Sequence, residues 1–102
     1  MNTIITARHC EVPDDVRARA ESLIDRLSRL AHRPQRADVI FNVDHQRRLV
    51  ELILHLPRGK TRVASAEATD FMTALDRAAE KLKHQLGKND PAGGNGRKRK
   101  PA

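Results

Sequence analysis

Residues 38–68, DVIFNVDHQRRLVELILHLPRGKTRVASAEA, decide the fold. Val39, Phe41 and Val43 alternate with Asp38, Ile40, Asn42 and Asp44, the period of a strand covered on one face. After His45 to Arg48, a polar hairpin segment, Val50, Leu52, Leu54 and Leu56 repeat that period. Pro57-Arg58-Gly59-Lys60 is a turn signal, and Thr61 to Ala68 follows as another strand. Its Ala64, Ala66 and Ala68 share one face, where small side chains let a helix pack close.

The flanking segments supply the covering helices. Asp70 is a good N-cap, and Phe71, Ala74, Leu75, Ala78, Leu82 and Leu86 form an apolar stripe at helical spacing that Gly87 should stop. Upstream, Pro13 with Asp14 and Asp15 suits a helix start, because carboxylates favour the positive end of the helix dipole. Val16, Ala20, Leu23, Ile24, Leu27 and Leu30 then recur at three and four, which predicts a helix from about Asp14 to Ala31, stopped by the Pro34 segment. Ahead of it Asn2 to Arg8, centred on Ile4 and Ile5, reads as a first strand. The expected class is α+β, in the order β-α-β-β-β-α: a four-stranded sheet with both helices on one face and the other face open. Residues 1–88 should form the domain; residues 89–102, rich in Gly and Pro and carrying Arg97-Lys98-Arg99-Lys100, should be a disordered basic tail.

At 102 residues there is room for one domain with a thin core, since so short a chain buries only about two-thirds of its unfolded surface. Twenty Lys and Arg against thirteen Asp and Glu give a net charge of +7, a balance that favours polyanionic partners. Apolar runs such as Leu52-Ile53-Leu54 are far too short to span a bilayer, and the start lacks the pattern of a secretory signal. The lone Cys10 fits a reducing compartment, so the cytoplasm is expected.

No nucleophile-base arrangement and no Gly-rich phosphate loop is readable, and His9-Cys10 lacks the further ligands that zinc requires. Asp14 and Asp15 are accounted for as dipole partners, not as an acid-base pair. Neither catalysis nor a cofactor or metal is expected. Positive charge is more informative. Arg77, Lys81, His84 and Lys88 recur at four, three and four along the last helix, making a basic ridge, while Arg17, Arg19, Arg26 and Arg29, with Arg33 and Arg36 beyond, line the first. Against this stands the plainer reading of solvated faces, with Asp76 and Glu80 as i,i+4 partners. Both phenylalanines, Phe41 and Phe71, fall on apolar faces, so no platform for stacking splayed bases exists, and contacts to phosphates of structured RNA are favoured.

Ala64-Ser65-Ala66-Glu67-Ala68-Thr69-Asp70-Phe71-Met72-Thr73-Ala74-Leu75-Asp76, continuing as RAAEKLKHQLGK to Lys88, closely resembles the ribosome hibernation-promoting factor family, also known as sigma-54 modulation proteins. The resemblance extends through the element order, the opening strand and the start of the first helix, leaving only the tail outside. It implies a fold similar to a double-stranded-RNA-binding domain with an extra first strand. It also implies a stationary-phase or stress factor on the small ribosomal subunit and its rRNA, lodged over the messenger channel and the A and P sites, where it excludes messenger and transfer RNA. Carried over, the family's basic ridge matches Arg77, Lys81, His84 and Lys88, with Lys83 as a neighbour. His84 departs from the usual Arg or Lys. Arg17, Arg26 and Arg29 match a second wall more loosely. The chain looks like a short form without the C-terminal dimerisation domain of long members. The competing readings are a regulator binding a protein partner through the open sheet face, a general double-stranded-RNA binder, and an enzyme acting on RNA, for which no clustered carboxylates are readable.

Overall fold

A computed structural model describes residues 1–88. The order is β1 (Asn2–Arg8), α1 (Asp14–Ser28), β2 (Arg36–Asp44), β3 (Arg47–His55), β4 (Thr61–Ala68) and α2 (Phe71–Lys88). The four strands lie in chain order, β1 parallel to β2 and the other pairs antiparallel. The parallel pair requires a crossover, which α1 supplies; the antiparallel pairs close through short turns. His45 and Arg58 take positive φ in those two turns, beside Gly59 at +73°.

Registers bring Ile5, Val39, Leu52 and Ala64 into one row across the sheet, and Ala7, Phe41, Val50 and Ala66 into the next. This face meets both helices, and the buried core consists of its side chains with Val16, Ala20, Ile24 and Leu27 of α1 and Leu75, Ala78, Leu82 and Leu86 of α2. Phe41 and Phe71 pack edge to face at 5.3 Å, and the Arg48 guanidinium lies 5.7 Å from the Phe71 ring centre. Ala64 and Ala68 oppose a helix that itself presents Ala74, Ala78 and Ala79, so α2 sits close over β4.

Three expected boundaries need correction. The polar hairpin is only His45 and Gln46, because Arg47 and Arg48 already belong to β3, paired with Asp44 and Val43; β3 ends at His55 and leaves Leu56 outside. Helix α1 ends at Ser28, not Ala31. Beyond it Arg29, Leu30 and Ala31 donate to carbonyls three residues back, tightening the last turn. Pro34 disfavours helical geometry in the residue before it, and Arg33 swings to φ +53°. Leu30 therefore leaves the apolar stripe and is 54% exposed. Gly87 does not stop α2: it lacks the positive φ of a glycine stop and lies within the helix. Asp70 does cap it, since its carboxylate accepts from the Thr73 backbone N–H at 2.9 Å and from the Thr73 hydroxyl at 2.8 Å. These bonds, the backbone one foremost, hold the Asp70 carboxyl below the ordinary carboxylate range.

The open face carries mixed residues. One row runs Ile4, Asp38, Ile53, Val63 and the next Thr6, Ile40, Glu51, Ser65. Asp38 makes contacts with the His55 ring at 2.8 Å and accepts from Arg36 at 3.0 Å. Burial opposes its charge, but the hydrogen bonds with His55 and Arg36 and the charges of both outweigh it and lower its pKa. A carboxylate with a depressed folded pKa stabilises the fold above its unfolded pKa and loses that contribution as pH falls through the folded value. Asp38→Asn should lower the melting temperature by about 5 °C at pH 6. The gap to wild type should close below pH 3.8, the ordinary value, in melts recorded across pH. A gap independent of pH would contradict the ionic account.

Candidate nucleic-acid interface

The close seat of α2 over β4 fixes the basic ridge. Arg77 donates to the Glu67 carbonyl at 3.2 Å, Lys81 to Ser65 at 2.9 Å and Gln85 to Val63 at 2.6 Å. Four helical residues advance about 6 Å and two strand residues about 6.7 Å, so the antiparallel elements keep step over three pairs. These carbonyls lie on the free edge of β4, where unpaired backbone groups invite another strand. Side chains of α2 answer them. Arg77 and Lys81 are thus held by the fold with further donors left over, since each bond uses one of several N–H groups on the cation. Gln85 is a positioning partner that charge spacing had not revealed; only the match of helical and strand rises points to it.

His84 lies on the same outward surface and contacts Glu80 at 3.3 Å across one helical turn. Lys88 closes α2, and its side chain lies outside the described residues. Asp76 reaches not along its helix but across to Arg19 of α1, at 3.2 Å. That pair joins the helices, which run in the same direction, because the end of α1 shares a cavity with Lys83, Leu86 and Gly87. Seven residues on from each member of the pair stand Arg26 and Lys83, at the same rotational position two turns along each helix. Arg17, two residues before Arg19, is turned about 200° from it and faces away from α2. Arg29 is paired with Asp25 at 2.8 Å. The structure therefore brings Arg77, Lys81 and His84 onto the outer surface of α2, sets Lys83 beside the end of α1, pairs Arg29 with Asp25, and leaves Arg17 and Arg26 exposed on α1.

Among the described residues no group of His, Cys, Asp or Glu is arranged to hold a metal ion, and no helix is long and apolar enough to cross a membrane. Cys10 is half-buried, with its thiol 3.8 Å from the Phe41 carbonyl.

Fold and surface define a small α+β module with a cationic helical face and a sheet of mixed polarity behind it. The chain belongs to the family described as Sigma 54 modulation protein / S30EA ribosomal protein, matched over residues 3–90. It is 35% identical over 86 residues to a ribosome hibernation promoting factor of Azotobacter vinelandii, covering 84% of this chain and 79% of that one. The corresponding protein of Pseudomonas putida is 33% identical over 96 residues, with 87% and 86% covered. The fold superimposes on a ribosomal subunit interface protein from Coxiella burnetii with a TM-score of 0.75, at 25% identity over 86% of this chain and 96% of that one. It matches the N-terminal domain of Thermus thermophilus Protein Y at 0.72, with 27% identity over 84% and 96%.

Proposed function

We propose that this chain is a ribosome hibernation factor. It binds the small ribosomal subunit at the messenger channel and the A and P sites, excludes messenger and transfer RNA, and silences translation in stationary phase or stress. The observation that carries the reading is the outward cation set of α2, whose Arg77 and Lys81 are pinned on a strand edge and so meet phosphates with little conformational entropy left to lose. Names of relatives point the same way: two are hibernation promoting factors and one a ribosomal subunit interface protein. Occlusion needs no catalytic group and no cofactor, which suits a surface built from phosphate-binding side chains. Action in the cytoplasm follows from the partner. Residues 1–88 form the binding unit in this reading, and Arg97 to Lys100 add affinity without being needed for occlusion. The test is competition on purified small subunits: one equivalent of the protein should displace bound transfer RNA and block messenger loading. Saturating protein and transfer RNA on the same subunit together would place the binding site elsewhere.

A further inference from the structure

We infer that the cavity where both helices end is a docking site for an acidic peptide segment with aliphatic side chains, contributed by a protein partner. The cavity measures about 980 Å³ and lies between the C-terminal ends of α1 and α2 and the β3–β4 turn. Leu30, Leu56, Pro57 and Leu86 line it, and Leu30, shed from the core by the early end of α1, is 54% exposed. Around this apolar lining stand Arg33, Arg58, Lys60, Arg62 and Lys83, with no carboxylate among the described lining residues.

Outside the cavity Arg19, Arg29, Arg36 and Arg47 each have a carboxylate partner, whereas Arg8, Arg17, Arg26, Arg48, Arg77 and Lys81 have none among the described residues. Among the described residues none of the five cavity cations has one either, so it is the clustering of five such cations around an apolar lining that marks the cavity. Arg62 donates only to the neighbouring Thr61 carbonyl. Arg33 and Arg58 are moreover fixed at φ +53° and +66°, a region a non-glycine residue adopts at a cost. Cations left unpaired around an exposed leucine complement carboxylates interspersed with aliphatic anchors. A nucleotide fits less well, because no aromatic ring is present to stack on a base. The chain's own residues 97–100, Arg-Lys-Arg-Lys, are repelled by the same charges.

Lys83 belongs to both surfaces, and the proposal is separable from the ribosome reading because its variants leave Arg77, Lys81 and Lys83 intact. The full chain is titrated, by fluorescence anisotropy at constant ionic strength, into a labelled peptide of alternating Glu and Leu. Parallel titrations use the same peptide with Ser for Leu, and a single-stranded RNA of equal charge. The Glu-Leu peptide should bind saturably, on the order of 10 μM. The Ser peptide should bind at least tenfold more weakly. Leu30→Asp and Arg58→Glu, both at exposed positions, should each weaken the Glu-Leu peptide about tenfold, with circular dichroism unchanged and small-subunit affinity within about threefold of wild type. Equal binding of the Ser peptide, or no effect of Leu30→Asp, would overturn the proposal. RNA binding as tight as the peptide and lost in the same variants would assign the cavity to nucleic acid instead.

Discussion

Replacing Arg77, Lys81 and Lys88 together by Gln should weaken binding to purified small subunits about 100-fold or more, while lowering the melting temperature by no more than about 5 °C. A charge-assisted phosphate contact is worth on the order of 1 kcal/mol, so three lost contacts combine to roughly that factor. The stability cost is small for a reason the structure supplies. Arg77 and Lys81 lie on an exposed edge, where the Glu67 and Ser65 carbonyls they release can turn to water. A matched control replaces Arg8, Arg36 and Arg47, which lie on the open face of the sheet. Arg48 is unsuitable there, because its guanidinium packs over Phe71 and its loss would disturb the core. The control should bind within about threefold of wild type. If the control loses binding and the α2 variant keeps it, the interface is the open face and the assignment to α2 is wrong.

Affinity for the small subunit should fall about 250-fold between 50 and 200 mM monovalent salt. Neutralising about five phosphates releases a comparable number of counterions, for a log-log slope of about −4 or steeper. Arg26, Arg77, Lys81, Lys83 and Lys88 supply that number of full charges. The same titration on the triple variant should give a slope shallower by about two to three, because each removed contact takes its counterion with it. Equal slopes for wild type and variant would show that these three cations do not face phosphate, whatever the change in affinity.

The sheet was readable in advance because alternation leaves little choice: Val39, Phe41, Val50, Leu52 and Leu54 are all buried on one face, and any shift by one residue would expose them. The Asp70 cap was equally local, a side chain bonding three residues ahead. The end of α1 was not. Leu30 continues the apolar spacing, and only the tightening of the last turn and the reversal at Arg33 ahead of Pro34 remove it from the core. The ridge on α2 was visible as spacing, but its anchoring depends on the edge of β4 and is a property of packing. Asp76 shows the same divide: helical spacing offered it partners on its own helix, and the fold gives it Arg19 from α1. The cavity cations come from three separated segments, His32–Gln35, Leu56–Arg62 and Lys83–Gly87, so no local pattern joins them.

The central claim, that this domain recognises the small ribosomal subunit and not RNA helices in general, is tested most directly by sedimentation in competition. Labelled protein is mixed with purified small subunits at near-physiological salt, in the presence of an excess of plain double-stranded RNA matched in phosphate content. The account predicts that the protein travels with the subunit at one copy each, and that the duplex does not remove it. Transfer to the duplex in proportion to its phosphate content, or failure to sediment with the subunit at all, would contradict it.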